Sequence, residues 1–236
     1  MYSRVLLKLS GEVLSGEGGR GFNREFVSYL VEEIVPVIRK DIQLAIVIGA
    51  GNIVRGRELE DLRSSRADEL GMLATTMNAV YLKESLNSVG LKAIAVSSII
   101  ELPSFVPHKY DQIERALTEG AVVVFGGGTY LPFFTTDTAA AVRAVEIEAD
   151  IVIKGTKVDG VYDMDPKVFK EATKIDTISF TEAIERGIRV MDQEAFSICQ
   201  RYNMPVIVID FFKKGNLLDA IIGKKVGTLV KPDLWR

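Results

Sequence analysis

Short apolar runs alternate with longer amphipathic stretches along this 236-residue chain, and the alternation limits the folds open to it. The runs are rich in Val and Ile without strict apolar–polar alternation, which is typical of strands buried on both faces. They lie at Val5–Leu9, Leu44–Ile48, Ala93–Val96, Ala121–Phe125, Ile151–Lys154, Val206–Ile209 and Thr228–Val230. Between them, helices are predicted at about 24–40, 66–88, 110–119, 137–148, 181–187, 193–203 and 216–223. This order predicts an α/β fold, a three-layer αβα sandwich whose central sheet is mostly parallel.

Composition excludes several classes of protein. The chain is 47% hydrophobic and 26% charged, as folded globular chains are. Its 29 Lys and Arg against 32 Asp and Glu leave no basic excess, which argues against a nucleic-acid binder. A run of about 18 apolar residues is absent, so no membrane span is expected. The run Val5–Leu9 is short and interrupted by Lys8, unlike a signal peptide.

The chain has one cysteine, Cys199, and one histidine, His108. These counts exclude disulfide frameworks and Cys/His zinc sites, and they exclude Ser-His-Asp or Cys-His catalysis unless His108 serves. A reduced, cytoplasmic setting fits. Without a linker or repeat, residues 1–236 are predicted to form one domain, with two closely joined lobes at roughly 1–150 and 151–236.

Ligands of such sheets bind beyond the carboxyl ends of the strands, so the residues that end and follow the strands are the candidate ligand contacts. Lys8 lies near the end of one apolar run and Lys154 at the end of another. A lysine in such a strand is costly unless its ammonium reaches an anion or solvent. A snorkelling lysine on an edge strand is the alternative for Lys8. After Lys154, the turn signals Asp159-Gly160 and Asp165-Pro166 fit either a nucleoside-binding loop or plain surface turns.

Glycine-rich segments follow two further strands. Residues 49–56 (GAGNIVRG) offer backbone amides and the Arg55 guanidinium to an anion, although a plain tight turn is the alternative. This segment fails the dinucleotide fingerprint G-x-G-x-x-G at Val54. Residues 16–21 satisfy that pattern, but no predicted strand directly precedes them, so the match is interpreted as a decoy.

The segment 126–137 (GGGTYLPFFTTD) leads from a buried strand into a helix. Thr135 and Thr136 at the helix start favour an anion site, although either could be only an N-cap. Asp137 is interpreted either as a partner of the helix dipole or as a functional carboxylate. Together, the lysines and glycine loops predict binding of a phosphorylated ligand. No loop matches the P-loop pattern G-x-x-x-x-G-K-[ST].

Several of these stretches in combination resemble the bacterial uridylate (UMP) kinases of the amino-acid-kinase family. The resemblance runs from about Arg4 to Val230. It is carried by VLLKLSGEVL, IVIGAGNIVRG, ADELGMLATTMNA, LPFFTTDTAA, IEADIVIKGTKVDGVYDMDP and VMDQEAF.

The resemblance implies transfer of the ATP γ-phosphate to UMP, with Mg²⁺ held mainly through nucleotide phosphates and no firm protein metal ligand. Implied catalytic residues are Lys8, Arg55, Asp137 and Lys154. Implied ATP contacts are Lys8, Leu9, Ser10, Gly11, Gly51, Arg55, Thr156, Tyr162 and Asp165. Implied UMP contacts are Ala50, Asp68, Thr129, Tyr130, Leu131, Pro132, Phe133, Phe134, Thr135 and Thr136.

Regulation and assembly are also implied by the resemblance. The loop that the family links to GTP activation corresponds to Gly16, Glu17, Gly18, Gly19, Arg20 and Gly21, and UTP is the expected inhibitor. The family is typically homohexameric, and helix 66–88 is an interface candidate, although its Leu70, Leu73, Met77 and Val80 could be ordinary core.

Two positions depart from the family pattern. Ala50 stands where the family often has glycine, and Tyr130-Leu131 replaces the common Gly-Asn before Pro132. Uridine contacts at the second position are therefore expected to be made by backbone or to differ. A family member that phosphorylates a carboxylate or carbamate, and a non-catalytic nucleotide sensor, are the competing hypotheses.

Overall fold

The computed structural model describes residues 1–16, 19–54, 58–166 and 168–233. The strands are β1 Arg4–Leu9, β2 Gln43–Ile48, β3 Ala93–Ser97, β4 Phe105–Pro107, β5 Val122–Gly126, β6 Ile151–Thr156, β7 Val161–Tyr162, β8 Lys174–Ile175, β9 Thr177–Ser179, β10 Val206–Asp210 and β11 Thr228–Lys231. The helices are α1 Arg24–Ile38, α2 Ser64–Ser88, α3 Tyr110–Thr118, α4 Thr136–Glu146, α5 Phe180–Glu185, α6 Gln193–Arg201 and α7 Asn216–Ile221. A short 3-10 helix, Gly11–Leu14, follows β1.

Nine strands form the main sheet in the order β4-β3-β5-β2-β1-β6-β10-β11-β9. Its neighbours pair in parallel, except β10 and β11, which pair antiparallel. Strand β1 lies in the middle, between β2 and β6. Four strands with chemically interesting loops, β5, β2, β1 and β6, are therefore consecutive neighbours, and their carboxyl ends meet along one side of the sheet.

Each face of the sheet packs against its own set of helices. One core cluster joins Leu7 of β1 and Ile153 of β6 to α1, α2 and α7. The other joins Leu6 and Val152 to α3, α4, α5 and α6. Because side chains alternate along a strand, Lys8 shares the face of Leu6 and points toward the α4 layer. Lys154 shares the face of Val152 for the same reason.

The expected α/β sandwich, with a mostly parallel sheet and helices on both faces, is confirmed, and each predicted strand and helix is present with small shifts at its ends. The edge-strand alternative for Lys8 is wrong, because β1 is central. Strands β4, β7, β8 and β9 were not predicted. They have two or three residues each, too few for periodicity to show.

Several large apolar residues of helix α2 are exposed at the surface. Leu70, Leu73 and Met77 are 42%, 45% and 54% exposed, so they are not ordinary core residues, whereas Val80 is half-buried. None of the described helices has the combined length and apolar character that a membrane crossing requires.

Candidate active site

Lys8 and Lys154 lie side by side at the carboxyl ends of neighbouring strands. They are register partners in the parallel pairing of β1 with β6. Both side chains reach Asp137 in the first turn of α4. Lys8 Nζ lies 2.6 Å from Asp137 Oδ1, and Lys154 Nζ donates a hydrogen bond of 2.6 Å to Asp137 Oδ2. One carboxylate therefore bridges two ammonium groups, an arrangement called here the two-lysine centre.

The charges of the two-lysine centre are largely shielded from water, since each side chain is no more than 15% exposed. Burial by itself would raise the pKa of Asp137, but the positive charges of Lys8 and Lys154 outweigh it and hold that pKa below its ordinary value. Burial lowers the pKa of Lys154; Asp137 opposes this effect, and Lys8 adds to it. With all three groups ionised, the centre carries a net positive charge.

Asp192, which the motif analysis did not single out, connects the start of α4 to α6. The Thr135 hydroxyl caps α4 by accepting from the backbone amide of Asp137, and it donates to Asp192 Oδ2. Asp192 Oδ1 accepts from the Thr138 hydroxyl at 2.8 Å and from the amide of Ala195 at 2.8 Å. The N-cap alternative for Thr135 is thus what the structure shows, and the capping network fixes the turn that carries Asp137.

The glycine turns after β1 and β2 are packed against each other. A Cβ atom on Gly11 would lie 2.4 Å from Asn52 Oδ1 and 2.5 Å from the carbonyl oxygen of Gly49, so only glycine fits there. Asn52 and Asn78 are fully buried and exchange hydrogen bonds of 3.0 and 2.7 Å. Asn78 Nδ2 also donates to the Gly49 carbonyl at 2.7 Å, which ties the turn to α2.

A cavity of about 420 Å³, called here the acceptor cavity, opens beside the carboxyl ends of β2 and β5. Its wall combines the two strand ends, the first half of α2, the loop before α4 and the start of α4. The implied UMP residues in its wall are Ala50, Asp68, Phe133, Phe134, Thr135 and Thr136, and Gly51 lines it as well. Thr129, Tyr130, Leu131 and Pro132 do not line it. Thr136 lines the cavity, so the cavity reaches the first turn of α4, which also carries Asp137; Lys8, Asp137 and Lys154 themselves are not among its lining residues.

The loop before α4 is held in a strained conformation at the cavity mouth. Phe133 has φ +72° and is 70% exposed, and its amide donates to Asp68 Oδ2 at 2.7 Å. Tyr130 has φ +75°, a backbone conformation that residues other than glycine rarely adopt. Thr129 Oγ1 donates to the Leu131 carbonyl at 3.0 Å. Strain of this kind is typical of ligand-binding loops.

The implied ATP residues are spread more widely. Ser10 caps the 3-10 helix after β1. The Thr156 hydroxyl donates to backbone carbonyls of Val158 and Ile209, and the Tyr162 hydroxyl donates to Asp159 at 2.7 Å. Asp165 lies in the connection between β7 and β8.

Three implied site residues, Arg55, Glu17 and Gly18, lie outside the described residues. Gly16 follows the 3-10 helix Gly11–Leu14 and not a strand. The match of residues 16–21 to the dinucleotide fingerprint therefore lacks the strand that the fingerprint requires. Within it, the amide of Gly21 donates to the Asn52 carbonyl at 2.7 Å, and Arg20 pairs with Glu58 at 2.6 Å.

A partly buried cluster beside the acceptor cavity was not predicted from the sequence. Arg143 of α4 lines the cavity and pairs with Glu146 at 2.6 Å, and His108 Nε2 lies 2.8 Å from Glu146 Oε1 and 3.0 Å from Arg143 Nη1. Burial by itself would raise the pKa of Glu146, but His108 and Arg143 hold it below its ordinary value. The spacing of Arg143 and Glu146 by one helical turn was the available signal.

The described residues contain no group of three or more His, Cys, Asp or Glu side chains placed to hold a metal ion. Asp137, the carboxylate implied as catalytic, already forms ion pairs with Lys8 and Lys154. The donor set of this part of the chain therefore does not fit a metal site built from protein ligands alone.

A family model described as the amino acid kinase family matches residues 3–210. The chain belongs to the amino acid kinase family. A uridylate kinase of Thermosipho melanesiensis is 56% identical over 98% of this chain and 100% of its own length. The resemblance noted from the motifs is thereby confirmed.

Solved structures of the family agree with the fold. A UMP kinase from Bacillus anthracis superposes with a TM-score of 0.95 at 34% identity, over 98% of this chain and 97% of its own. A UMP kinase from Ureaplasma parvum does so with a TM-score of 0.91 at 33% identity, over 98% and 99%. The nine-stranded sheet with helices on both faces is therefore the amino-acid-kinase fold.

Proposed function

We propose that this chain is a uridylate kinase that transfers the γ-phosphoryl group of ATP reversibly to UMP, giving ADP and UDP for pyrimidine nucleotide synthesis. The observation that carries the proposal is the two-lysine centre beside the acceptor cavity: a buried, net positive group lies where two phosphorylated ligands would meet. Family membership and the names of the relatives support the same reaction.

The chemistry of the acceptor explains why the centre needs cations and no general base. A phosphomonoester has a second pKa near 6, so the UMP phosphate is largely dianionic at neutral pH and already a nucleophile. The barrier is repulsion between anions, about 4 kcal/mol for one pair of unit charges ~4 Å apart at an effective dielectric constant of ~20. Fixed positive charges and backbone amides lower that barrier by electrostatic stabilisation and positioning.

Within this mechanism, Lys8 and Lys154 place their charges toward the transferring phosphoryl group. Asp137 holds both ammonium groups in position, and because it is ionised and shared between them it does not abstract a proton. Backbone amides of the crowded turn at Ser10-Gly11 are proposed to add donors for phosphate oxygens. Arg55 is proposed as a further cation of the site on the strength of the resemblance.

The acceptor side is proposed to be formed by roughly residues 1–150, and the ATP side mainly by residues 151–236. UMP occupies the acceptor cavity beside Asp68 and the segment 133–136, and residues 129–132 contact it once it is bound. ATP lies on the other side of the two-lysine centre, along Leu9–Gly11, Thr156, Tyr162 and Asp165. Mg²⁺ is proposed to enter with the nucleotide phosphates and to neutralise part of their charge, and no step assigned to the protein depends on it.

Regulation, assembly and location are proposed from the family resemblance. GTP acts as activator through the segment 16–21, and UTP acts as inhibitor. The exposed apolar residues of α2 contribute to a homohexamer. The single cysteine and the nucleotide substrates favour a cytoplasmic enzyme.

The test is ADP release with ATP and a panel of acceptors: UMP, CMP, acetylglutamate, aspartate and carbamate. UDP is identified as the product by chromatography, and each assay is repeated with GTP and with UTP. We expect UMP to be the preferred acceptor. Preference for a carboxylate or carbamate would indicate another activity of the family, and ATP binding without any transfer would indicate a nucleotide sensor.

A further inference from the structure

The Arg143 guanidinium is held rigidly in the wall of the acceptor cavity. Its Nη1 donates to Glu146 Oε2 at 2.6 Å and lies 3.0 Å from His108 Nε2. Its Cζ lies over the ring of Phe125, 5.6 Å from the ring centroid. Glu146 is held ionised by these neighbours, so the ion pair persists at neutral pH. A planar group gripped at an edge and on a face has little freedom to move.

Arg143 also reaches the glycine turn that leads into the acceptor loop. Gly127 and Gly128 have φ +83° and +60°, and without side chains they cannot fix this turn themselves. Arg143 Nη2 donates to the carbonyl of Gly128 at 3.4 Å from the cavity side. Gly128 itself lines the acceptor cavity, so the position of its carbonyl affects the shape of the site.

Two other side chains hold the same turn: Ser98, which follows β3, and Thr75 of α2. The Ser98 hydroxyl donates to the carbonyl of Gly127 at 3.0 Å. Ser98 and His108 line a second cavity of about 570 Å³ on that side. The amide of Gly127 donates to the Thr75 hydroxyl at 2.8 Å. The turn is thus clamped between Arg143 and Ser98, which come from elements distant in sequence.

We propose that Arg143 is a positioning residue for the acceptor nucleotide: it fixes the turn at Gly127-Gly128 and thereby holds the loop that closes the acceptor cavity. This inference rests on the proposed function. Arg143 acts through the turn and not on the reacting phosphates, which belong to the two-lysine centre. Its loss therefore affects acceptor binding and leaves ATP binding and the transfer step nearly unchanged.

The test variant is Arg143→Lys, which retains the charge but loses the planar fork and the stacking on Phe125. We expect the KM for UMP to rise about tenfold, equivalent to about 1.4 kcal/mol. The kcat and the KM for ATP should change less than twofold. Arg115→Lys is the matched control, because Arg115 also pairs with a glutamate one turn away but is exposed on α3. Its constants should equal those of the wild type.

Ser98→Ala provides a second variant that loosens the turn from the opposite side. We expect it to raise the KM for UMP about threefold. The double variant should raise it by less than the product of the single effects, because both contacts act on one turn. Hydrogen–deuterium exchange in the ligand-free protein should be faster over residues 126–134 in Arg143→Lys than in Arg115→Lys.

Three results would overturn the inference. In the first, a normally folded Arg143→Lys protein has a wild-type KM for UMP. In the second, kcat or the KM for ATP changes as much as the KM for UMP. In the third, Arg143→Lys fails to fold and Ser98→Ala leaves the KM for UMP unchanged. Failure of the wild type to bind UMP in calorimetry would instead refute the proposed function. The exchange measurement distinguishes that failure from a failure of the Arg143 inference, because it needs no nucleotide.

Discussion

Replacing Asp137 with asparagine removes the one negative charge that pairs with both buried lysines while preserving the shape of the side chain. Lys8 and Lys154 each lose an ion-pair partner at 2.6 Å. Removing one member of a buried ion pair typically costs about 3–5 kcal/mol, because the remaining charge is left uncompensated. We expect Asp137→Asn to lower the free energy of unfolding by about that amount.

Repulsion between the lysines supplies part of this loss and can be measured separately. Both ammonium nitrogens lie 2.6 Å from the same carboxylate, so they lie within about 7 Å of each other, and unit charges at ~7 Å repel by about 2 kcal/mol at an effective dielectric constant of ~20. Adding Lys154→Met to Asp137→Asn removes that repulsion. The double variant should therefore regain about 2 kcal/mol of stability but no activity.

Urea unfolding followed by circular dichroism measures these differences, and UDP formation measures the activity. For a chain of this size, Asp137→Asn should also lower the thermal midpoint by roughly 10 °C, at about 2–4 °C per kcal/mol. The electrostatic reasoning is refuted if Asp137→Asn unfolds at the wild-type urea concentration, or if the double variant is no more stable than Asp137→Asn alone.

Lys8→Ala should reduce kcat at least about 100-fold in a protein that still folds; near-normal turnover would contradict its role. The pKa of Asp137 is held below its ordinary value, so the stability that its ionised form contributes is present above about pH 4 and is lost as the pH falls through the lowered pKa. The urea midpoint should therefore fall less on acidification in Asp137→Asn than in the wild type. An equal dependence of the urea midpoint on pH in the two proteins would refute this. Asn78→Ala removes the donor to the buried Asn52 Oδ1 and to the Gly49 carbonyl and should cost about 2–3 kcal/mol in urea unfolding, whereas a cost near zero would mean that the pair is not structurally important. Gly11→Ala places a Cβ 2.4 Å from Asn52 Oδ1 and should raise the KM for ATP, with an unchanged KM counting against the crowded-turn interpretation.

Features that repeat along the chain could be predicted from the sequence. Buried strands were identified as short runs rich in Val and Ile, and amphipathic helices by their period of about 3.6 residues, because both are local properties of the chain. The start of α5 carries a capping-box signature, Ser179-x-x-Glu182, and there the Ser179 side chain accepts from the Glu182 amide; Gly187 follows the helix with φ +64°. Caps of this kind lie within one turn of the chain.

Partners far apart in sequence could not be predicted in this way. Asp192 binds the hydroxyls of Thr135 and Thr138 across more than 50 residues of chain. Arg143 meets His108 across 35 residues. No local pattern specifies such pairs, because they depend on how α4 packs over the sheet. Strand order is a similar case, since it decided that Lys8 lies on a central strand.

For this protein, the sequence by itself determined which residue types end or follow the strands: two lysines, two glycine-rich segments and the Thr135-Thr136-Asp137 helix start. Only the tertiary structure decided that β1 and β6 are neighbours in register and that α4 begins above them, so that one carboxylate serves both lysines. The reason is physical. Chemical identity belongs to single residues, whereas charge compensation depends on distance, and distances across a sheet are set only when the strands pair.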